Sequence, residues 1–199
     1  MDMRLRSEVY PLATTFTISR GSKNQADVVV VEVEAGGHIG RGECVPYPRY
    51  GETVKAVVAT LENVRPALAS GLDRTTLQQT LPAGAARNAL DCALWSWEAA
   101  QAGCRVFELL QAPMPKPVTT AYTLSLGTPT AMEAAASEQS NRPLLKLKLA
   151  GDGLDTERVA GVRRGAPVSS SMQMKEETLR TPAASWRSCR NWQIWVLSW

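Results

Sequence analysis

Two hydrophobic periods alternate along residues 118–163, and this alternation restricts the fold more than anything else in the sequence. Residues 118–126 and 144–149 have the pattern of strands, whereas residues 128–138 and 154–163 have the pattern of helices. A parallel strand can be reached only through a crossover connection, so strands that alternate with helices predict parallel βαβ units. This part of the chain is therefore expected to open an α/β domain.

The first 115 residues are organised differently. Strands are predicted over residues 4–12, 26–34 and 38–44, and Gly36-Gly37 indicates a tight hairpin turn between the last two. Helices are predicted over residues 52–69 and 85–102, with a short helix over 106–111. We expect a small meander of strands covered by helices.

Composition excludes several classes of protein. The net charge is +3 over 199 residues and there is no Lys/Arg run, so no nucleic-acid partner is expected. No stretch approaches the roughly 18 apolar residues of a membrane span, and the N-terminus lacks the apolar core of a signal peptide. Cysteines are scattered and His38 is the single histidine, which argues against disulfides or zinc and predicts a reducing, cytoplasmic location.

Lys146 and Lys148 are the strongest candidates for chemistry. In Leu-Leu-Lys-Leu-Lys-Leu the period of two places both ammonium groups on one face of a strand. Like charges in a partly desolvated position lower the pKa of a lysine, which a general base near neutral pH requires. The alternative from spacing alone is an edge strand whose lysines face water.

Three other polar segments each allow two interpretations. The loop with Tyr47 and Tyr50 is either a rigid binding loop or an ordinary proline-rich turn. Arg20 either clamps a carboxylate or is a solvated surface residue. Arg87 and Asp91 either mark a polar site or belong to a packed amphipathic helix; because they are four residues apart, we favour a pair on the helix surface in a structural role.

Four segments together carry a resemblance to a known family: Phe16–Gly21, Gly42–Glu52, Leu81–Trp95 and Leu144–Leu149. They resemble the dipeptide epimerases, typified by L-Ala-D/L-Glu epimerase, in the muconate-lactonizing branch of the enolase superfamily. The resemblance implies an α+β capping domain (1–115) followed by an incomplete (β/α) barrel, of which residues 116–167 supply the first two strands. Residues 168–199 depart from the family and form an aberrant tail.

The resemblance also implies an activity and a set of site residues. The family epimerises the C-terminal residue of a dipeptide, in murein peptide recycling, through an enediolate that Mg²⁺ stabilises. Lys148 matches the acid/base lysine, Lys146 its neighbour at the substrate carboxylate, and Thr123 a substrate-contacting threonine. Arg20 matches a capping-loop arginine that suits an acidic side chain, and residues 47–50, with Tyr47 and Tyr50, match the second capping loop. The implied partner is a small dipeptide, and homo-oligomerisation is left open.

The departure after residue 167 removes the implied metal site. A third strand ending in Asp-Ala-Asn-Glu is expected there, but this chain has Met172, Gln173, Met174 and Lys175. Codons for these residues begin with AT, CA, AT and AA, which are the last two bases of codons for Asp, Ala, Asn and Glu. A one-base change of reading frame also explains why four of the six tryptophans lie in the last fourteen residues.

Without metal ligands and without an opposing lysine, the chain is expected to bind no Mg²⁺ and to be inactive. Two alternatives remain: a capping-domain fragment without catalysis, and a different activity of the same branch, such as muconate or o-succinylbenzoate chemistry.

We predict that the gene, read one base out of register after residue 167, encodes Asp-Ala-Asn-Glu at positions 172–175. Sequencing genomic DNA across this segment tests the hypothesis. A shifted translation that lacks these four residues would refute the change of frame.

Overall fold

The computed structural model describes residues 1–169 and the backbone of residues 170–175 and 196–197. The chain divides into two compact units. The first combines Met1–Pro11 with Gln25–Lys116, and the second combines Leu12–Asn24 with Pro117–Trp199. The domain limits predicted from the sequence remain a prediction, and the part of the proposed out-of-frame tail at 176–195 and 198–199 lies outside the described residues.

Three strands form the first sheet, in the order β1-β2-β3. They are β1 (Asp2–Ile18), β2 (Gly21–Ala35) and β3 (His38–Cys44). Strands β2 and β3 are antiparallel, and the pair Ala35↔His38 closes on Gly36 and Gly37, whose positive φ angles of 60° and 78° fit the predicted tight turn. Strands β1 and β2 extend beyond the predicted limits and meet at a turn of Ser19 and Arg20. The end of β1 is rich in threonine, which suits an extended backbone.

Helices cover one face of this sheet in the first unit. They are α1 (Val54–Ala69), α2 (Arg74–Thr80), α3 (Ala85–Ala102) and α4 (Val106–Leu109). Strand β2 contributes Val29, Val31 and Val33 to a core completed by the leucines of α1 and α3. Helix α2 was not predicted, because Leu77 is its one buried residue and a single apolar position cannot define a period. Asp73 begins this helix by accepting a hydrogen bond from the Thr76 amide at 2.7 Å.

Helix α3 approaches strand β3 so closely that only glycine fits at two strand positions. A Cβ atom on Gly42 would lie 2.1 Å from the Ala89 carbonyl oxygen, and one on Gly40 would lie 2.1 Å from that of Ala93. Ala89 and Ala93 are fully buried, so small residues meet on both sides of the contact. The Gly-Arg-Gly segment therefore has a packing role.

The second unit contains the predicted βα alternation. Its elements are β4 (Tyr122–Leu124), α5 (Pro129–Glu138), β5 (Leu144–Leu149), α6 (Asp155–Gly165), β6 (Ser170–Lys175) and β7 (Val196–Leu197). The sheet order is β4-β5-β6-β7, with β4, β5 and β6 mutually parallel and β7 antiparallel to β6. Leu145 and Leu147 pack with Met132, Ala136 and Val162 of the helices. The expected start of a barrel is thus confirmed.

The number of barrel strands predicted from the sequence was wrong. Residues 170–175 form a third parallel strand, β6, paired with β5 from Leu144↔Ser170 to Leu149↔Lys175. Strand pairing uses backbone groups, so a segment without hydrophobic alternation can still join a sheet. No helix within the described residues is both long enough and apolar enough to span a membrane.

We predict that Gly42→Ala lowers the free energy of unfolding by about 1–3 kcal/mol, because the added methyl group forces α3 away from β3. Gly127→Ala is the matched control, since its nearest contact would be an ordinary 3.5 Å. Urea unfolding of both variants measures the difference. Equal midpoints for the two variants would contradict the close packing of α3 on β3.

Candidate active site

The two lysines of β5 lie on one face of the strand, as the period of two predicts. Leu145, Leu147 and Leu149 are buried, whereas Lys146 and Lys148 are partly exposed. The leucines pack on helices α5 and α6, so the lysines point to the opposite side of the sheet. The strand therefore presents two ammonium groups side by side on the face away from the helices.

Thr123 joins the lysine face from the neighbouring strand. It is the register partner of Lys146, and Leu124 is the partner of the buried Leu147. Register partners on parallel strands point to the same side of a sheet. The structure therefore brings together Thr123, Lys146 and Lys148, three of the residues selected from the sequence.

Arg20 and the two loop tyrosines lie in different units. Arg20 is exposed on the turn between β1 and β2, in the segment Leu12–Asn24 that belongs to the same unit as β4 and β5. Tyr47 and Tyr50 belong to the first unit, where Pro48–Tyr50 forms a short 3-10 helix. Their ring centroids are 5.6 Å apart, and Tyr50 is 75% exposed.

The carboxylate of Glu52 anchors the tyrosine loop, residues 47–51, and Glu52 was not among the candidate residues selected from the sequence. Glu52 Oε2 accepts a hydrogen bond from the Tyr47 amide at 3.0 Å, and Oε1 accepts one from the Ala85 amide at 2.6 Å. Ala85 begins α3, whose N-cap Gly84 offers no side chain of its own. A Cβ atom on Gly84 would lie 2.9 Å from Oε1, so glycine leaves room for the carboxylate. Glu52 thereby caps α3 and fixes the start of the loop.

A buried arginine orders the loops that follow β4 and β5. Arg158 Nε donates to the Gly127 carbonyl at 2.8 Å, and its Nη atoms donate to Asp152 and Asp155. Hydrogen bonding to Arg158 holds the pKa of Asp152 well below its usual value. These loops lie at the carboxyl ends of parallel strands, where α/β folds place their sites.

Arg87 and Asp91, expected to pair with each other, both bind Gln78 instead. Arg87 donates to the backbone carbonyls of Gln78 and Leu81, and Asp91 accepts from the Gln78 side-chain amide at 2.9 Å. Helix α2, which was not predicted, and its C-cap Leu81 supply these carbonyl and amide groups close to α3. The two residues thus join α2 to α3, which agrees with the structural role assigned to them.

The described residues do not fit a magnesium site. Mg²⁺ requires oxygen ligands in near-octahedral geometry, and no group of three Asp, Glu, His or Cys residues gathers within the part of the chain that the structure describes. Strand β6 has Met172 and Met174 at the register positions beside Lys146 and Lys148. After residue 167 the sequence contains only two carboxylates, the adjacent Glu176 and Glu177.

Residues 1–111 match the family described as mandelate racemase / muconate lactonizing enzyme, N-terminal domain. The chain belongs to this family. The resemblance to dipeptide epimerases is also confirmed: the chain is 44% identical over 180 residues to the L-Ala-D/L-Glu epimerase of Escherichia coli K12, covering 89% of this chain and 56% of that protein.

Two solved structures show what similar proteins bind. An enolase family member from Agrobacterium tumefaciens with homology to dipeptide epimerases, with bound sodium and L-Ala-L-Glu, is 44% identical with a TM-score of 0.82, covering 86% of this chain and 52% of that one. A dipeptide epimerase from Cytophaga hutchinsonii, complexed with Mg and D-Ala-L-Val, is 27% identical with a TM-score of 0.78, covering 86% and 50%. The chain spans about half the length of these relatives.

We predict that Glu52→Ala destabilises the tyrosine loop and the first turn of α3, because two backbone amides lose their acceptor; the expected cost is about 1 kcal/mol. Hydrogen exchange of residues 45–51 and 85–88 measures the effect. Glu43→Ala, which removes an exposed carboxylate from β3, is the control and should leave both segments unchanged. Unchanged exchange in Glu52→Ala would contradict the anchoring role.

Proposed function

We propose that the lysine face of β5, together with Thr123, is one half of the active site of a dipeptide epimerase that acts on L-Ala-D/L-Glu-type substrates. One observation supports this most strongly. Lys146 and Lys148 share a face, with Thr123 level with Lys146, in a chain that is 44% identical to L-Ala-D/L-Glu epimerase. The edge-strand alternative is disfavoured because β5 has a neighbour on each side.

In this proposal each residue of the face has a distinct task. Lys148 serves one face of the α-carbon of the C-terminal residue: its neutral amine removes the proton from one epimer, and its ammonium form delivers a proton when the reaction starts from the other epimer. Lys146, on the same face of β5 as Lys148, offers an ammonium group to the substrate carboxylate. Thr123 supplies a hydroxyl that can bind the same carboxylate. The two lysines thus act on adjacent atoms of one substrate residue.

Substrate choice is assigned to the capping segments. The planar guanidinium of Arg20 suits a bidentate pair with an acidic side chain, so a dipeptide ending in glutamate is the proposed ligand. Tyr47 and Tyr50 offer two exposed rings on a loop that Glu52 holds in place. Such a dipeptide is a product of murein breakdown, and we propose a cytoplasmic site of action.

We also propose that these 199 residues do not complete the reaction. Removing the α-proton next to a carboxylate leaves two negative charges on one group, and such charge must be stabilised by fixed positive groups or dipoles. Strand β6 places methionines beside the lysines, where a change of reading frame has replaced an Asp-Ala-Asn-Glu sequence in our hypothesis. The chain would then recognise a dipeptide without epimerising it.

We predict that the chain shows no turnover of L-Ala-L-Glu with added Mg²⁺ beyond that of its Lys148→Ala variant. A version of the gene shifted by one base after residue 167 should produce an active epimerase, and Lys148→Ala in that protein should reduce activity by about 10²–10⁴-fold. Chiral analysis of the glutamate product measures both.

Two outcomes would contradict the proposal. Turnover by the 199-residue chain that depends on Lys148 would show that the residues after 167 do not prevent catalysis. A frame-shifted product that folds but leaves L-Ala-L-Glu unchanged would refute the proposed substrate.

A further inference from the structure

The tip of the long β1–β2 hairpin is attached to the chain directly after β4. Ser125 Oγ accepts a hydrogen bond from the Thr17 amide at 2.8 Å and donates one to the Thr15 carbonyl at 3.4 Å. The Leu126 amide donates to the Thr17 carbonyl at 3.0 Å. These bonds join residues more than 100 positions apart in sequence, all within the second compact unit.

Ser125 occupies a position that relates the hairpin to the lysine face. It follows Leu124, whose register partner is Leu147, and Lys148 follows Leu147 on β5. The bonds of Ser125 are therefore made at the carboxyl end of β4, at the level where Lys148 lies on the neighbouring strand. Arg20 lies three residues beyond Thr17, on the turn of the same hairpin.

The hairpin is itself cross-linked near this attachment. Thr17 Oγ1 and Ser22 Oγ are 2.8 Å apart, so the two strands are joined beside the turn that carries Arg20. Thr17 is partly buried, whereas Ser19 and Arg20 are exposed. The hydrogen bonds between Thr17 and the segment after β4 thus limit where the turn can move, because Arg20 lies only three residues after Thr17.

We propose that Ser125 is a positioning residue that sets the place of Arg20 relative to Lys148 and thereby the preference for an acidic dipeptide. This inference rests on the proposed function, since it takes from it the role of Arg20. Ser125 acts through the hairpin backbone and does not itself touch the substrate. A hydroxyl at this position both accepts from and donates to β1, which alanine cannot do.

Amide exchange of the 199-residue chain tests the attachment. Ser125→Ala should raise exchange at Thr17 by about tenfold, because a partly buried amide loses its acceptor, while the β2–β3 ladder stays protected. Ser125→Thr retains the hydroxyl and should restore protection. Ser22→Ala removes the cross-link inside the hairpin but leaves the bonds of Ser125, and should not expose the Thr17 amide. Unchanged exchange in Ser125→Ala would overturn the attachment.

Dipeptide titration by NMR tests the consequence for recognition. The unaltered chain should bind L-Ala-L-Glu more tightly than the uncharged L-Ala-L-Gln, and Ser125→Ala should reduce the ratio of the two affinities to about one. Ser125→Thr should restore the ratio, and this rescue separates positioning from a general loss of structure. A ratio in Ser125→Ala equal to that of the unaltered chain would overturn the inference.

Failure of the proposed function gives a different result. If the unaltered chain does not prefer L-Ala-L-Glu, or if Arg20→Ala leaves the preference intact, the role assigned to Arg20 is wrong and the positioning role of Ser125 falls with it. In that case the exchange data still decide whether Ser125 attaches the hairpin.

Discussion

The parallel pairing of β4 with β5 is the constraint on which the candidate site depends. Register places Leu124 beside Leu147 and Thr123 beside Lys146, so one face of both strands packs on helices while the other presents polar groups. A shift by one residue would send the lysines into the helical layer and the leucines out of it. The burial of the leucines thus specifies the position of the amines, and the chemistry of the face follows from the packing of the core.

The sequence predicted the structure that neighbouring residues determine, but it did not predict contacts between residues far apart in the chain. The period of two in Leu144–Leu149 and the glycine pair at Gly36-Gly37 each determine structure through neighbouring residues. By contrast, Glu52 meets Ala85 and Ser125 meets Thr17 across long stretches of chain, and neither serine nor glutamate signals its partner by spacing. Helix α2 and strand β6 escaped prediction because tertiary contacts and backbone pairing stabilise them without a hydrophobic period.

Strand β6 joins the sheet through its backbone although its sequence has no hydrophobic alternation. Its residues pair with β5 along the full strand, and Met172 and Met174 are the register partners of Lys146 and Lys148; methionine offers no oxygen ligand to Mg²⁺. The geometry of a parallel neighbour and the chemistry of a metal ligand are separate properties of the same segment. A comparison of folds detects the position of the strand but gives no information on whether its side chains can bind a metal.

The contact between β3 and α3 bears on how such chains are recognised. Gly40 and Gly42 are there because the helix leaves no space for a larger residue, irrespective of whether any substrate is ever turned over. Selection for a stable domain would preserve these glycines in a descendant that had lost its catalysis. A signature built on this segment therefore records the packing of a stable domain, and its presence alone does not distinguish a working enzyme from a chain without catalysis.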